Sequence, residues 1–113
     1  MINVKIGCDI VNIKRFKNIE DRTLMKIFNE NEIRSKKPEK IAGLFAAKES
    51  CRKVFNKLGW HDITIKKMRN GKPSLFIDLH KIEKNMEIMN SDLSISHDGD
   101  YAIATAVFLI RSL

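Results

Sequence analysis

An α+β fold, with a largely antiparallel sheet packed against one long central helix and shorter helices, is what the sequence predicts. Three observations carry this expectation. The most regular helical periodicity, over residues 38–58, occurs once and near the middle of the chain. Segments rich in β-formers open and close the sequence. Two turn signals, Asn70-Gly71 and Asp98-Gly99-Asp100, each separate strand-like runs, so the strands they join run antiparallel.

Val4 to Val11 reads as the opening strand, with the carboxylate of Asp9 set among apolar residues. Asn12 to Ile19 places Ile13, Phe16 and Ile19 on one side and Lys14, Arg15 and Lys17 elsewhere, which predicts a short helix with a basic outer face. Arg22 to Phe28 and Asn31 to Lys36 predict two more helical pieces, with Asn29 as a cap for the second. From Pro38 to Leu58, the residues Ile41, Leu44, Phe45, Cys51, Val54, Phe55 and Leu58 recur at helical spacing and predict one buried stripe. Pro38 suits the first turn and Gly59 the position just past the end. His61 to Met68 and Ser74 to Leu79 predict a hairpin about Asn70-Gly71. His80 to Met89 predicts a helix, and Leu93 to His97 with Tyr101 to Leu109 a second hairpin.

Length and composition narrow the function. A chain of 113 residues, 43% hydrophobic, fits one domain, 1–113, with a modest core. No segment has the length of a membrane span, and Met1 to Lys5 carries no basic-then-apolar pattern, so a cytoplasmic protein is expected. Cys8 and Cys51 lie in apolar segments without metal-ligand spacing and are expected to be buried free thiols. The net charge of +7 favours an anionic partner: nucleic acid, a phosphorylated cofactor or an acidic protein. One Trp and one Tyr beside six Phe give little support to a base-stacking surface.

Three places carry groups that the fold does not need. Asp9 in an apolar strand is costly unless paired, hydrogen-bonded or bound to metal; capping the next helix is the ordinary account. Glu49 and Lys53 share a helical face, as do Lys48 and Arg52. A solvated i,i+4 ion pair is the ordinary account, and a metal on Glu49 with Lys53 facing phosphate the functional one. Ser94-Ile95-Ser96-His97 ends a strand, with His97 on the face of Leu93 and Ile95. Lys72 and Pro73 complete the Asn70-Gly71 turn.

Taken together, Gly7-Cys8-Asp9-Ile10-Val11 followed by Ile13, Arg15 and Phe16, then Phe45-Ala46-Ala47-Lys48-Glu49-Ser50 with Lys53, Asn70-Gly71-Lys72-Pro73, and Ser94-Ile95-Ser96-His97-Asp98 resemble the phosphopantetheinyl transferase superfamily. Length and motif order are similar to its short, single-repeat branch, the holo-acyl-carrier-protein synthases, from Ile6 to about Val107. The resemblance implies transfer of 4′-phosphopantetheine from coenzyme A to a serine of apo-acyl-carrier protein, in support of fatty acid biosynthesis. It implies that Asp9 and Glu49 bind Mg²⁺ with the coenzyme A pyrophosphate, and that Lys53 contacts that pyrophosphate. Lys72, Pro73, Ser96 and His97 would line the cofactor site. Arg15, with Lys14, Lys17, Arg22 and Lys26, would face the acidic carrier protein. A homotrimer with active sites between subunits is also implied. Leu44 stands where many relatives have Arg, which implies one contact fewer. Glu49 is the candidate for taking the serine proton. The alternative is a small basic nucleic-acid-binding domain, which explains the charge but neither Asp9 nor the Ser-His-Asp string.

Overall fold

The computed structural model of the protein describes residues 1–113. Its elements follow in the order β1 (Ile2–Asn12), α1 (Asp21–Ile27), α2 (Pro38–Val54), β2 (Ile63–Lys67), β3 (Pro73–Ile77), β4 (Met86–Asp98) and β5 (Tyr101–Ser112). Short 3-10 turns lie at Ile13–Phe16, Glu30–Glu32, Trp60–Asp62 and Leu79–Lys81. All strand pairing is antiparallel: β1, β5 and β4 form one sheet in that spatial order, and β2 and β3 form a separate hairpin. The α+β class and the long central helix are as the sequence predicts. No helix is long and apolar enough to cross a membrane.

Small residues set the distance between α2 and the three-stranded sheet. β5 turns Ala102, Ala104 and Ala106 toward the helix, where Ala42 and Ala46 are equally buried. Closest approach falls at two glycines. A Cβ on Gly7 would overlap the carbonyl oxygen of Ser50, and one on Gly43 would lie 2.9 Å from Ile95 Cγ2 and 3.0 Å from His97 Nε2. At Gly7 backbone meets backbone because no side chain intervenes, and at Gly43 side chains of β4 rest on the helix backbone. The Ser50 hydroxyl lies 2.7 Å from the Ala46 carbonyl and 2.9 Å from that of Ala104, tying helix to sheet.

On its other side α2 buries Lys48, against the expectation of a single apolar stripe with Lys48 on a solvated face. Lys48 is fully buried, and Nζ donates to the Ile27 carbonyl at 3.0 Å, the Trp60 carbonyl at 3.0 Å and Glu32 Oε1 at 2.7 Å. Glu32 also accepts from the backbone N–H groups of Asn29 (2.9 Å) and Ile65 (2.8 Å). Every proton of the ammonium is matched. Burial nevertheless holds the Lys48 pKa below the usual lysine value, the Glu32 bond opposing it. One charged pair thus joins the end of α1, the start of β2 and both flanking turns to the middle of α2.

Several element boundaries differ from expectation. The helix expected over 12–19 is a single 3-10 turn, Ile13–Phe16, capped by the Asn12 side chain and followed by Asn18 at φ 58°. Asn31 to Lys36 keeps only the turn Glu30–Glu32. There the Glu32 carboxylate reaches back to the Asn29 N–H, while the Asn29 side chain bonds His61 instead of capping a helix. α2 stops at Val54 because Phe55 turns into the core, its ring centroid 4.9 Å from that of Phe108. Gly59 is therefore no helix terminator; it precedes the Trp60–Asp62 turn. The helix expected over 80–89 is absent: β4 begins at Met86, which pairs with Ser112 at the far end of β5. Ile82, Met86 and Met89 imitate helical spacing, but sheet pairing decides the conformation, with a bulge between Ile88 and Asn90.

Removing one member of the buried pair strands the other. Lys48→Met is expected to lower the unfolding free energy by about 3–5 kcal/mol, with part regained in Lys48→Met/Glu32→Gln. Urea denaturation of the three proteins measures this; a loss below about 1 kcal/mol would mean the pair is not holding these elements.

Candidate active site

Alternation along β1 turns Gly7, Asp9 and Val11 toward α2. The close approach at Gly7 therefore carries Asp9, two residues on, to the last turn of the helix. Lys53 Nζ lies 3.2 Å from Asp9 Oδ1 and donates to the Cys8 carbonyl at 2.7 Å. The Asp9 side chain keeps 16% of its surface exposed and Lys53 54%, so the pair sits at the rim and not in the core. Asp9 does not cap the turn after β1; Asn12 does.

Glu49 lies one turn before Lys53 but does not pair with it. Its Oε1 accepts from Arg52 Nη1 at 3.0 Å. The Arg52 guanidinium also stacks 4.2 Å from the Trp60 ring centroid, and its Nε donates to the Leu58 carbonyl at 3.0 Å. The expected Glu49–Lys53 ion pair is thus replaced, and Lys48 and Arg52 do not share a solvated face. Lys53 gains two acceptors from β1, Lys48 goes inward, and Arg52 is held over Trp60 with Glu49. Asp9 Oδ2 and Glu49 Oε2 accept no hydrogen bond from the protein.

These carboxylates suit a hard divalent cation. No cluster of three or more His, Cys, Asp or Glu side chains could enclose a metal by itself. Two carboxylates with one uncommitted oxygen each match an ion such as Mg²⁺, which takes few protein ligands and completes its octahedron with water and ligand phosphates.

A cleft of about 390 Å³ opens between the β2-β3 turn and the sheet, lined by Lys72 and Pro73, by Asp92 to Ile95 of β4, and by Thr105 and Val107 of β5. Lys72 Nζ pairs with Asp92 Oδ1 at 3.0 Å. Ser96 and His97 lie beyond this lining. The ring of His97 packs by Gly43, and its Nε2–H donates to the Glu39 carbonyl at 2.8 Å, leaving Nδ1 as the free nitrogen. Asp9 with Lys53 and Lys72 with Pro73 are thus brought together as two groups.

Among the basic residues, Lys14 is engaged by Asp100 at 3.5 Å. The Arg15 guanidinium lies over the rings of Phe45 (5.3 Å) and Phe16 (5.9 Å), whereas Lys17, Arg22 and Lys26 have no carboxylate partner. Leu44, where an Arg is common in the resembling family, packs against the core. Of the two thiols, Cys51 is buried, as expected, and burial pushes its pKa up to about 12; Cys8 instead is exposed on the outer face of β1. Sequence reasoning does not single out Asp92 or Thr105, and it names Arg52 only for sharing a helical face with Lys48. Only Lys48 has a visible signal, its place in an otherwise apolar Phe45-Ala46-Ala47 run.

A profile of the 4′-phosphopantetheinyl transferase superfamily matches residues 5–106. The holo-[acyl-carrier-protein] synthase of Caldicellulosiruptor saccharolyticus is 42% identical, the alignment covering 90% of this chain and 93% of that one. The enzyme of the same name from Sulfurimonas denitrificans is 38% identical over 88% and 89%. The crystal structure of Helicobacter pylori holo-[acyl-carrier-protein] synthase in complex with coenzyme A superposes with a TM-score of 0.81 at 33% identity, covering 92% of this chain and 99% of that one. With its fold, its paired Asp9 and Lys53 and its four motifs in one chain, the protein belongs to the 4′-phosphopantetheinyl transferase superfamily.

Proposed function

We propose that residues 1–113 act as one catalytic domain, a cytoplasmic holo-[acyl-carrier-protein] synthase. It moves 4′-phosphopantetheine from coenzyme A to a serine of apo-acyl-carrier protein and serves fatty acid biosynthesis. The observation that carries this reading is the Asp9–Lys53 pair, 44 residues apart in sequence and 3.2 Å apart in space, with Glu49 one helical turn away. The nucleic-acid alternative accounts for the net charge of +7 but not for the Asp9–Lys53 pair.

In this reading the serine Oγ attacks the β-phosphorus of coenzyme A, and the bond from that phosphorus to the bridging oxygen breaks. Phosphopantetheine stays on the serine and adenosine 3′,5′-bisphosphate leaves. Lys53, fixed by the Cys8 carbonyl and by Asp9, is placed to neutralise charge on the leaving phosphate. Glu49, or a water that it holds, takes the serine proton, while Arg52 holds Oε1 still. Mg²⁺ held by Asp9 and Glu49 would supply further charge neutralisation on the pyrophosphate. Lys72 and Pro73 in the cleft, and Ser96 and His97 farther along β4, contact coenzyme A. Arg15, Lys17, Arg22 and Lys26 receive the acidic carrier, with Lys14 contributing once released from Asp100.

Assembly follows from the other face of the sheet. Strand alternation turns Ile2, Val4, Ile6 and Ile10 of β1 outward beside Tyr101 and Ile103 of β5, all exposed, Ile6 to 68%. An apolar face of this breadth is a mark of a buried interface. We assign it to the homotrimer, with active sites between subunits, that the family resemblance implies; the apolar face by itself sets no subunit number.

Incubation with apo-acyl-carrier protein, coenzyme A and Mg²⁺ is expected to add one phosphopantetheine mass to the carrier, and none with EDTA. Asp9→Ala or Glu49→Ala should each lower kcat/KM on the order of 10²-fold or more. No mass gain from folded protein with several carriers would defeat the reading. Arg15→Glu should raise the KM for carrier roughly threefold or more while sparing that for coenzyme A; an equal loss of both would remove Arg15 from the carrier face. Light scattering should give a trimer for the native protein and smaller species for Ile6→Arg with its circular dichroism retained. A native monomer would contradict the assembly.

A further inference from the structure

β4 is the edge strand of its sheet, so alternate backbone N–H groups along it point away from β5 and need other partners. Two are met by the preceding side chain: Ser91 N–H donates to Asn90 Oδ1 at 2.9 Å and Leu93 N–H to Asp92 Oδ1 at 2.9 Å. β3 runs nearby, yet the sheet ends at β4 and the β2-β3 hairpin remains separate. The gap between them is the cleft that Lys72 and Pro73 share with Ser94, Thr105 and Val107.

Asp92 stands on the wall of that cleft and gathers its donors. Lys72 Nζ lies 3.0 Å from Oδ1 and 3.1 Å from Oδ2, and the Leu93 N–H meets Oδ1 from the strand. A flexible ammonium and a fixed backbone N–H converging on one point are what binds a phosphate oxygen elsewhere in proteins. In this structure that point holds the chain's own carboxylate. Both side chains are about half exposed, 54% for Lys72 and 58% for Asp92, so the contact is open to exchange. The Lys72 bond and the Leu93 N–H hold the Asp92 carboxyl below the usual carboxylate range, which keeps it charged through the neutral region.

We propose that Asp92 is an internal competitor for an anion site formed by Lys72 Nζ and the Leu93 N–H, and that it sets the affinity for coenzyme A. A phosphate of coenzyme A must displace the carboxylate from Lys72 before the cleft closes on the ligand. A ligand without phosphate charge has nothing to offer Lys72 in exchange. The β2-β3 turn is fastened across the cleft by the same pair, so displacement also frees the turn to follow the ligand. This inference rests on the reading that coenzyme A occupies the cleft.

Calorimetric titration of the full chain with coenzyme A separates the two ideas. Asp92→Asn keeps an acceptor for the Leu93 N–H and removes the charge, and it should tighten binding roughly threefold to tenfold. Asp92→Ser, which also removes the charge, should do the same. Lys72→Met should weaken binding about tenfold or more. In the Lys72→Met background the gain from Asp92→Asn should shrink, because the competed group is gone. Unchanged or weaker binding in both Asp92 variants, with Lys72→Met still impaired, would overturn the role of Asp92 and leave the cleft assignment standing. Full affinity in Lys72→Met, or no binding by the native protein, would remove the cleft assignment itself.

Discussion

The architecture depends on how closely α2 approaches the three-stranded sheet. At Gly7 and Gly43 there is no room for a Cβ, and the facing alanines of β5 and α2 keep the layer thin between them. A helix lying this low brings the strand ends level with its own termini. Asp9 then reaches Lys53 at the C-terminal turn, and His97 reaches the Glu39 carbonyl in the first turn. Larger residues at either glycine would lift the helix and separate both contacts together. The functional side chains therefore inherit their positions from a packing constraint made by residues that carry no functional group.

The C-terminal half of α2 divides its charges by direction. Successive side chains on a helix are turned by about 100°, so Lys48, Glu49, Ser50, Arg52 and Lys53 face different neighbours. Lys48 goes to a dry pocket of carbonyls and Glu32, Ser50 to β5, Arg52 to Trp60, and Lys53 to β1. Burial of Lys48 is unfavourable for its charge, and the Glu32 bond offsets only part of that cost. Its return is geometric: the ends of α1 and β2 are registered against the helix that presents Glu49 and Lys53. Glu49 is left with one oxygen held and one open.

Legibility in the sequence follows the range of the interaction. The turns at Gly71 and Gly99 are readable because positive φ is a local demand, and both adopt it. The start of α2 is readable from Pro38 for a similar reason. The first half of β4 is not, since only its register with the end of β5 makes it a strand. Lys48 is misread because its partner Glu32 is 16 residues away, and a lysine on a helix is by default assigned to a solvated face. No local rule joins Asp9 to Lys53 either; the motif resemblance names each as a site candidate, and only the fold brings them to 3.2 Å. Asp92 has no motif and no period to mark it, and becomes visible only when the hairpin is folded across β4.

One strand serves two environments, the candidate site on one face and a bare apolar surface on the other. Period-2 alternation sends Gly7, Asp9 and Val11 to the helix and Ile6, Cys8 and Ile10 to the bare outer face. A one-residue slip of β1 against β5 would exchange these sets, placing Asp9 outside and Cys8 against Lys53. In the proposed trimer, covering the outer face with other subunits would fix the register that it shares with the candidate site. The same contact would then stabilise both the trimer and the Asp9–Lys53 geometry, which gives a chain of this size a rigid site without a larger core of its own.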